Sequence, residues 1–429
     1  MSAAQRDPSV TGRPEAPLLR GQEGYSDNVT GRKRQARRWE LLFIVSTLVG
    51  IVALGSLLYN VLDSAYGLVA IDVKVDPASL ARGGVALEAL PASELATLLR
   101  EKLKKRDLKT IEKEQPLAAR STEDLLGIVQ TKVVGVDVVG TWVLSDSLLR
   151  RRAIEAELAR THPNATLTFK SWLRPAFLSS QQSPDPMLSG VRSAILGSLW
   201  TILVTIVVAL PLGVAAAVYL EEYAAKDRRL TQVIQTNINN LAGVPSIIYG
   251  MLGLTIFVRL LEPLTSGAWL TGATSATANG RTILSAGLTL ALLVLPLQII
   301  NSQEAIRAVP GSLRQASYGL GATRWQTIWA HVLPSALPGV LTGTILSVSR
   351  AIGETAPLVV VGASTAIFQD PSGPFSKFTV LPIQIYQWTS RPQAEFRSIA
   401  AAAILVLLAM LLSLNAAAVF LRNRTQVRH

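Results

Sequence analysis

The stretch GSLRQASYGLGATRWQTIWAHVLP, residues Gly311 to Pro334, is polar and short and lies between two long apolar segments. Ser312 has Gln315 three residues on, and Thr323 has Gln326 three residues on. Each pair reads as a capping box, in which a hydroxyl and a side-chain amide satisfy the orphan N–H groups at a helix start. Gly319 and Gly321 fall where the first helix must end, because glycine takes the left-handed terminating conformation without a steric penalty. Leu333-Pro334 is expected to close the second helix. The spacing therefore predicts a helix, turn, helix elbow on a membrane face, carrying Arg314 and Arg324 with Tyr318, Trp325 and Trp329. Any multispan protein has connecting loops, so a passive loop is the plain alternative.

Outward from the elbow the composition is that of a membrane protein. The chain has 429 residues, of which 49% are hydrophobic and 16% charged. The net charge of +12 raises the question of nucleic acid. Its placement beside apolar segments is instead the signature of membrane orientation. With no cysteine, thiol catalysis, disulfides and cysteine metal sites are excluded. His162, His331 and His429 are scattered, which argues against a histidine metal cluster.

Residues 1–38 are rich in Gly, Ser, Pro and Arg without apolar periodicity and read as a disordered cytoplasmic tail, ending in Arg32, Lys33, Arg34, Arg37 and Arg38. Residues 39–62 follow as a transmembrane helix; their uncharged core, Leu41 to Leu62, is 22 residues long, about 33 Å as a helix and enough to cross a bilayer. Residues 63–190 are charged throughout and patterned like a soluble protein, so they read as a small extracytoplasmic α/β domain with a core of its own. In it Ile71 to Val75 alternates like a strand, Ala92 to Arg106 puts Leu95, Leu98, Leu99 and Leu103 on one stripe, Ser147 to Arg160 reads as a helix and Thr166 to Trp172 as a strand. The basic cluster Lys102, Lys104, Lys105 and Arg106 is better read as a solvated helix end than as an anion site.

Five further apolar runs make six spans in all: Ser193 to Leu220, Thr231 to Val258, Thr282 to Gln303, Ser335 to Ile367 and Ser398 to Leu421. Residues 191–421 then form the membrane core, with a coupling loop at 304–334 and a short C-terminal tail at 422–429. Alternating from the first span, both termini and the loops at 221–230 and 304–334 are expected inside. The inner flanks then carry fourteen Lys and Arg and the short outer loops five, the expected sense of the bias.

The fifth run is interrupted by charge. Centred near residue 351, it puts Arg350 and Glu354 at the membrane midplane, four residues apart on one helical face. Each such charge costs about 2.5–3.5 kcal/mol on insertion scales and therefore faces protein or a water-filled path. A structural ion pair is one reading. The other follows from Gly353 and Pro357, which mark a helix break of the kind transporters use for substrate sites, where a guanidinium suits an oxyanion.

Two sets of residues carry a family resemblance. In the elbow, Gln315, Ala316, Ser317, Gly321, His331, Leu333 and Pro334 resemble the EAA loop of ABC importer permeases, with Gln315, Ser317 and His331 departing from its pattern. Together with Ala242-Gly-Val-Pro-Ser-Ile-Ile-Tyr-Gly250 and Ser349-Arg-Ala-Ile-Gly-Glu-Thr-Ala-Pro357, they make residues 190–421 similar to the PstA-type permeases of phosphate ABC importers. The resemblance implies an all-α polytopic type I ABC importer permease fold. It implies a homologous second permease, two copies of a cytoplasmic ATPase and an extracytoplasmic phosphate-binding protein. It further implies ATPase coupling through Gln315, Ala316, Ser317, Gly321, Arg324, Leu333 and Pro334, and a substrate path at Arg350, Glu354 and Thr355. Such permeases often carry a basic residue near the inner end of the fourth span, where this chain has Ile300-Asn301-Ser302.

No G-x-x-x-x-G-K-[ST] loop occurs, so no cofactor is expected in this chain and ATP is expected on the partner ATPase. Ser349, Arg350 and Glu354 lack a base at helical spacing from the serine, so the chain is not expected to be an enzyme. Other oxyanions, molybdate, tungstate or sulfate, stay open as cargo. So does a receptor that relays an outer signal without transport.

Overall fold

The computed structural model describes residues 29–425 apart from 74–79, 81–86, 88–89, 104–106, 109–110, 113–114, 164, 269–278, 364–366 and 368–369. The expectations for residues 1–28, for Lys74 and Val75, for Lys104, Lys105 and Arg106, and for residues 364–366 of the fifth run lie outside the described residues. The chain divides into two units, 1–59 and 60–429.

Most of helix α1 (Val29–Ala65) belongs to the first unit. It begins well before Trp39, a correction to the disordered tail expected up to residue 38. Lys and Arg are good helix formers, so the helix set by the apolar run extends back through Arg38 to Arg32. Its residues from Leu41 to Leu58 leave their apolar side chains exposed, which suits lipid.

The second unit opens with β1 (Tyr66–Val73), then α2 (Ala92–Lys102), α3 (Thr122–Ile128), β2 (Val136–Val143), α4 (Leu144–Leu149), α5 (Arg151–Thr161), β3 (Thr166–Ser171) and α6 (Pro175–Ser179). The strands form one antiparallel sheet in the order β2-β1-β3, with a bulge at Val139 of β2 opposite Ala70 and Ile71. The α2 stripe of Leu95, Leu98 and Leu99 is buried with Leu117, Leu125 and Val129. The single helix expected over Ser147 to Arg160 is instead split at Arg150. Ser147 explains the split: its buried hydroxyl donates to the Val143 carbonyl and accepts from the Leu68 N–H at 2.8 Å, holding α4 against the sheet.

Among the remaining helices are α7 (Arg192–Val218), α8 (Arg229–Ala242), α9 (Ser246–Gly253), α10 (Ile283–Arg307), α11 (Gly311–Gly319), α12 (Arg324–Thr327), α13 (Leu333–Gly353), α14 (Ala356–Val361), α15 (Leu381–Thr389) and α16 (Ala394–Thr425). Among the described residues, five stretches are long and apolar enough to cross a membrane: Gly31–Ala65, Arg192–Tyr223, Ile283–Arg307, Arg324–Gly353 and Ala394–Arg424. A sixth exists only as the pair Arg229–Ala242 and Ser246–Leu260, bent by 104°. This corrects the straight span expected over Thr231 to Val258. Pro245 cannot continue a helix and disfavours the helical conformation at Val244. Gln232, Gln235, Thr236, Asn239 and Asn240 also give α8 a polar side that a lipid-crossing helix would not carry.

Helix α10 lies at the centre, packed on α7 and α13 through small residues. The Thr205 hydroxyl reaches the Gly287 carbonyl at 3.2 Å, and a Cβ on Gly343 would stand 2.5 Å from the Asn301 Cβ. The sheet does not close a separate core. Val69, Trp172 and Phe177 share one with Leu381 and Trp388 of α15 and Phe396, Ile399 and Ala402 of α16. Helix α15 lies in a stretch expected to be a short loop between the last two spans.

Candidate functional site

The elbow is built by its caps. Thr323 and Gln326 form the expected reciprocal box, with the Thr323 N–H donating to Gln326 Oε1 at 2.9 Å. At the end of α11, Gly321 is left-handed with φ of +80°. There the Gly321 N–H donates to the Tyr318 carbonyl and the Ala322 N–H to that of Ser317, which closes the turn. Ser312 does not cap: α11 starts from Pro310, whose extended backbone sets the entry, and Ser312 sits inside the first turn. Leu333-Pro334 does not close the second helix either. The Leu333 N–H reaches back five residues to Ile328, and the wide turn Ile328–Val332 makes room for a proline that has no N–H, so the chain runs on into α13.

One face of the elbow is apolar and open. Leu320 is 90% exposed, Trp325 59% and Trp329 62%, and the two indoles stack at 5.6 Å. Gln315, Ala316, Gly321, Arg324 and Pro334 are exposed, and Leu333 is half-buried. Exposed apolar patches of this kind mark sites of protein or membrane interaction. Ser317 lies inside instead: its buried hydroxyl pairs with that of Thr327 at 2.8 Å and joins α11 to α12. Arg314 also turns inward, with two nitrogens on Glu222 Oε1 and donated bonds to the Ile306 and Val309 carbonyls. Nothing in the sequence reading singled out Glu221 or Glu222. The available signal was two adjacent acids ending an apolar run.

The second constellation is a broken span. Helix α13 ends at Gly353, Glu354 is extended, and α14 restarts with Thr355 at its N-cap and Pro357 in its first turn. The break falls where Gly353 and Pro357 mark it, and Gly362, with φ of +103°, ends α14. Arg350 Nε lies 3.3 Å from Glu354 Oε1, with the Arg350 side chain 43% exposed and that of Glu354 18%. Gly339 lies against Ala305 and Gly343 against Asn301, an antiparallel register. Carried on to residue 350, it brings Arg350 level with Val294, near the middle of α10. A Cβ on Gly353 would meet nothing within 4 Å, so that side of the break is open.

The two distant motifs meet here. A Cβ on Gly250 would stand 2.6 Å from the Pro357 Cα, so α9 and α14 touch backbone to backbone. The Tyr249 hydroxyl donates to the Leu241 carbonyl at 2.7 Å, which also accepts from the Val244 N–H, and so ties α9 back across the α8–α9 bend. Ser349 does not face Arg350's open side but donates to Asn415 of α16 at 2.8 Å. Asn301 and Ser302 are turned to Gly343 and Gln298 and bring no charge. Among the described residues no cluster of His, Asp and Glu could hold a metal ion.

Residues 209–427 match the family described as "Binding-protein-dependent transport system inner membrane component". The chain is 35% identical over 241 residues to the phosphate transport system permease protein PstA 1 of Mycobacterium tuberculosis (strain CDC 1551 / Oshkosh), covering 56% of this chain and 72% of that protein. It is 34% identical over 189 residues to the probable ABC transporter permease protein YqgI of Bacillus subtilis (strain 168), where the match covers 44% of this chain and only 58% of the relative's length. Among solved structures, the inward-facing MetNI methionine ABC transporter is similar at a TM-score of 0.40 and 20% identity, covering 56% of this chain and 95% of that one.

Proposed function

The chain belongs to the family of binding-protein-dependent transport system inner membrane components, and from that premise we propose that it is the membrane permease of an ATP-driven importer whose cargo is phosphate. The observation that carries the reading is the break after Gly353, which leaves a half-exposed guanidinium at mid-span beside an open face. A phosphate oxyanion needs cationic donors in a low-dielectric path, and Arg350 supplies them while Glu354 offsets its charge when the path is empty. Thr355 adds a hydroxyl at the same break.

The chain has no phosphate loop of its own, so ATP hydrolysis falls to a cytoplasmic ATPase, held in two copies. That subunit docks on the apolar face of the elbow through Gln315, Ala316, Leu320, Gly321, Arg324 and the stacked tryptophans, with Leu333 and Pro334 passing the load to α13. A homologous second permease completes the path, and a phosphate-binding protein delivers cargo outside. The excess of Lys and Arg on the flanks at 226–229, 307–324 and 422–428 supports an inner-face elbow, with the α/β region outside. ATP binding then switches access by moving the elbow.

Arg350→Ala is expected to abolish phosphate uptake in reconstituted vesicles while the ATPase still co-purifies. Normal uptake by that variant would remove Arg350 from the path. Competition by unlabelled molybdate, tungstate and sulfate against labelled phosphate decides which oxyanion the path accepts.

A further inference from the structure

Two adjacent glutamates end α7, in the wide turn Tyr219–Tyr223. A helix C-terminus is electrostatically the wrong place for acids, because the last carbonyls already carry partial negative charge. Burial there compounds the problem, yet the Glu221 side chain is 4% exposed and that of Glu222 8%. Each is held by cations from a different element. Glu221 Oε1 accepts from Arg307 at the end of α10, with the Nε donor at 2.8 Å, and its Oε2 from Lys226 at 3.2 Å. Glu222 accepts twice from Arg314 of α11, at 2.8 and 3.1 Å. Arg314 also bonds the Ile306 carbonyl at 2.9 Å and the Val309 carbonyl at 2.7 Å, so one guanidinium gathers the end of α7, the end of α10 and the elbow.

These links contrast with the way the elbow leaves for α13. That exit passes through the wide turn Ile328–Val332 and two prolines, Pro334 and Pro338, where the hydrogen-bond ladder is weakest. We propose that the Glu222–Arg314 and Glu221–Arg307 pairs are positioning residues that lock the elbow to α7 and α10, so that these three shift as one body when the elbow is pushed while α13 bends at its wide turn. The inference rests on the reading of the elbow as the ATPase handle. A buried charge pair suits such a lock because breaking one side leaves an uncompensated charge, which makes the joint two-state rather than compliant.

The test uses the full chain in its complex, in lipid nanodiscs. Because the chain contains no cysteine, Ser312→Cys and Leu212→Cys give a single spin-labelled pair between the exposed start of the elbow and the exposed side of α7. The expected distance distribution is narrow and unchanged between nucleotide-free and ATP-bound states. Adding Glu222→Gln is expected to broaden it, and phosphate moved per ATP hydrolysed in the unlabelled variant is expected to fall about tenfold while hydrolysis persists. The charge swap Glu222→Arg with Arg314→Glu is expected to recover at least part of that ratio, which a simple folding defect would not. A narrow distribution with an unchanged ratio in Glu222→Gln overturns the lock. Failure of an ATPase to co-purify with the unsubstituted chain overturns the handle itself, a separate result.

Discussion

Lys170 of β3 shows how far a single residue can be displaced from its ordinary chemistry. Its ammonium sits 2.9 Å from the Met187 sulfur and 4.5 Å from the centre of the Trp172 ring. Burial, and then the neighbouring Arg174, push its pKa from 10.5 down to about 7, with Asp185 opposing them. Between those two values the unfolded chain holds the proton more tightly than the folded one, so unfolding takes up a proton. Stability therefore rises as pH is raised from 7 towards 10.5, and the penalty is complete below 7. Lys170→Met keeps the side-chain length and removes the charge. It is expected to raise the melting temperature at pH 7, to do little at pH 10, and so to flatten the slope between them. A slope in the variant equal to that of the unsubstituted protein would show that another group sets it.

At the scale of elements, the elbow turns on Gly321. A Cβ there would meet nothing within 4 Å, so only the left-handed backbone opposes a side chain. Gly321→Ala is expected to cost about 1 kcal/mol of local stability. Because that strain sits beside the exposed Leu320, ATPase co-purification should fall more than the melting temperature does; a variant unchanged in both would dismiss the turn as a constraint. This element was legible in the sequence because its signals are local, namely a hydroxyl with an amide three residues on and a glycine at a helix end. What escaped was set by tertiary contact. Pro310 took the cap offered by Ser312, and the wide turn at Ile328–Val332 let Pro334 be passed through. The pairing of Glu222 with Arg314 spans 92 residues, beyond any local pattern. At the broken span, Gly353 and Pro357 announced the break, but not that Gly250 would lie against Pro357.

At the scale of the second unit, the charged segment between the first two apolar runs looks separable by composition, and its packing says otherwise. Phe177 is 2% exposed and faces Trp388 at 6.1 Å, while Trp172 and Val69 complete the same core with Leu381 and Phe396. The sheet is thus anchored on α15 and α16, and Val191 N–H to Phe177 carbonyl at 2.9 Å ties it to the start of α7. A region held through a shared core unfolds with the helices it rests on, because neither side can keep its apolar face covered alone. Phe177→Ala removes the ring at the centre of that contact and is expected to cost about 3–5 kcal/mol. In detergent, cysteines placed at Val69 in β1 and at Ala402 in α16 report burial on the two sides. Both are expected to become reactive at one common temperature, lowered together by Phe177→Ala. Reactivity at Val69 well below that at Ala402, with Phe177→Ala shifting only the former, would mean that the sheet region melts alone and that the shared core is a contact without consequence for the long helices.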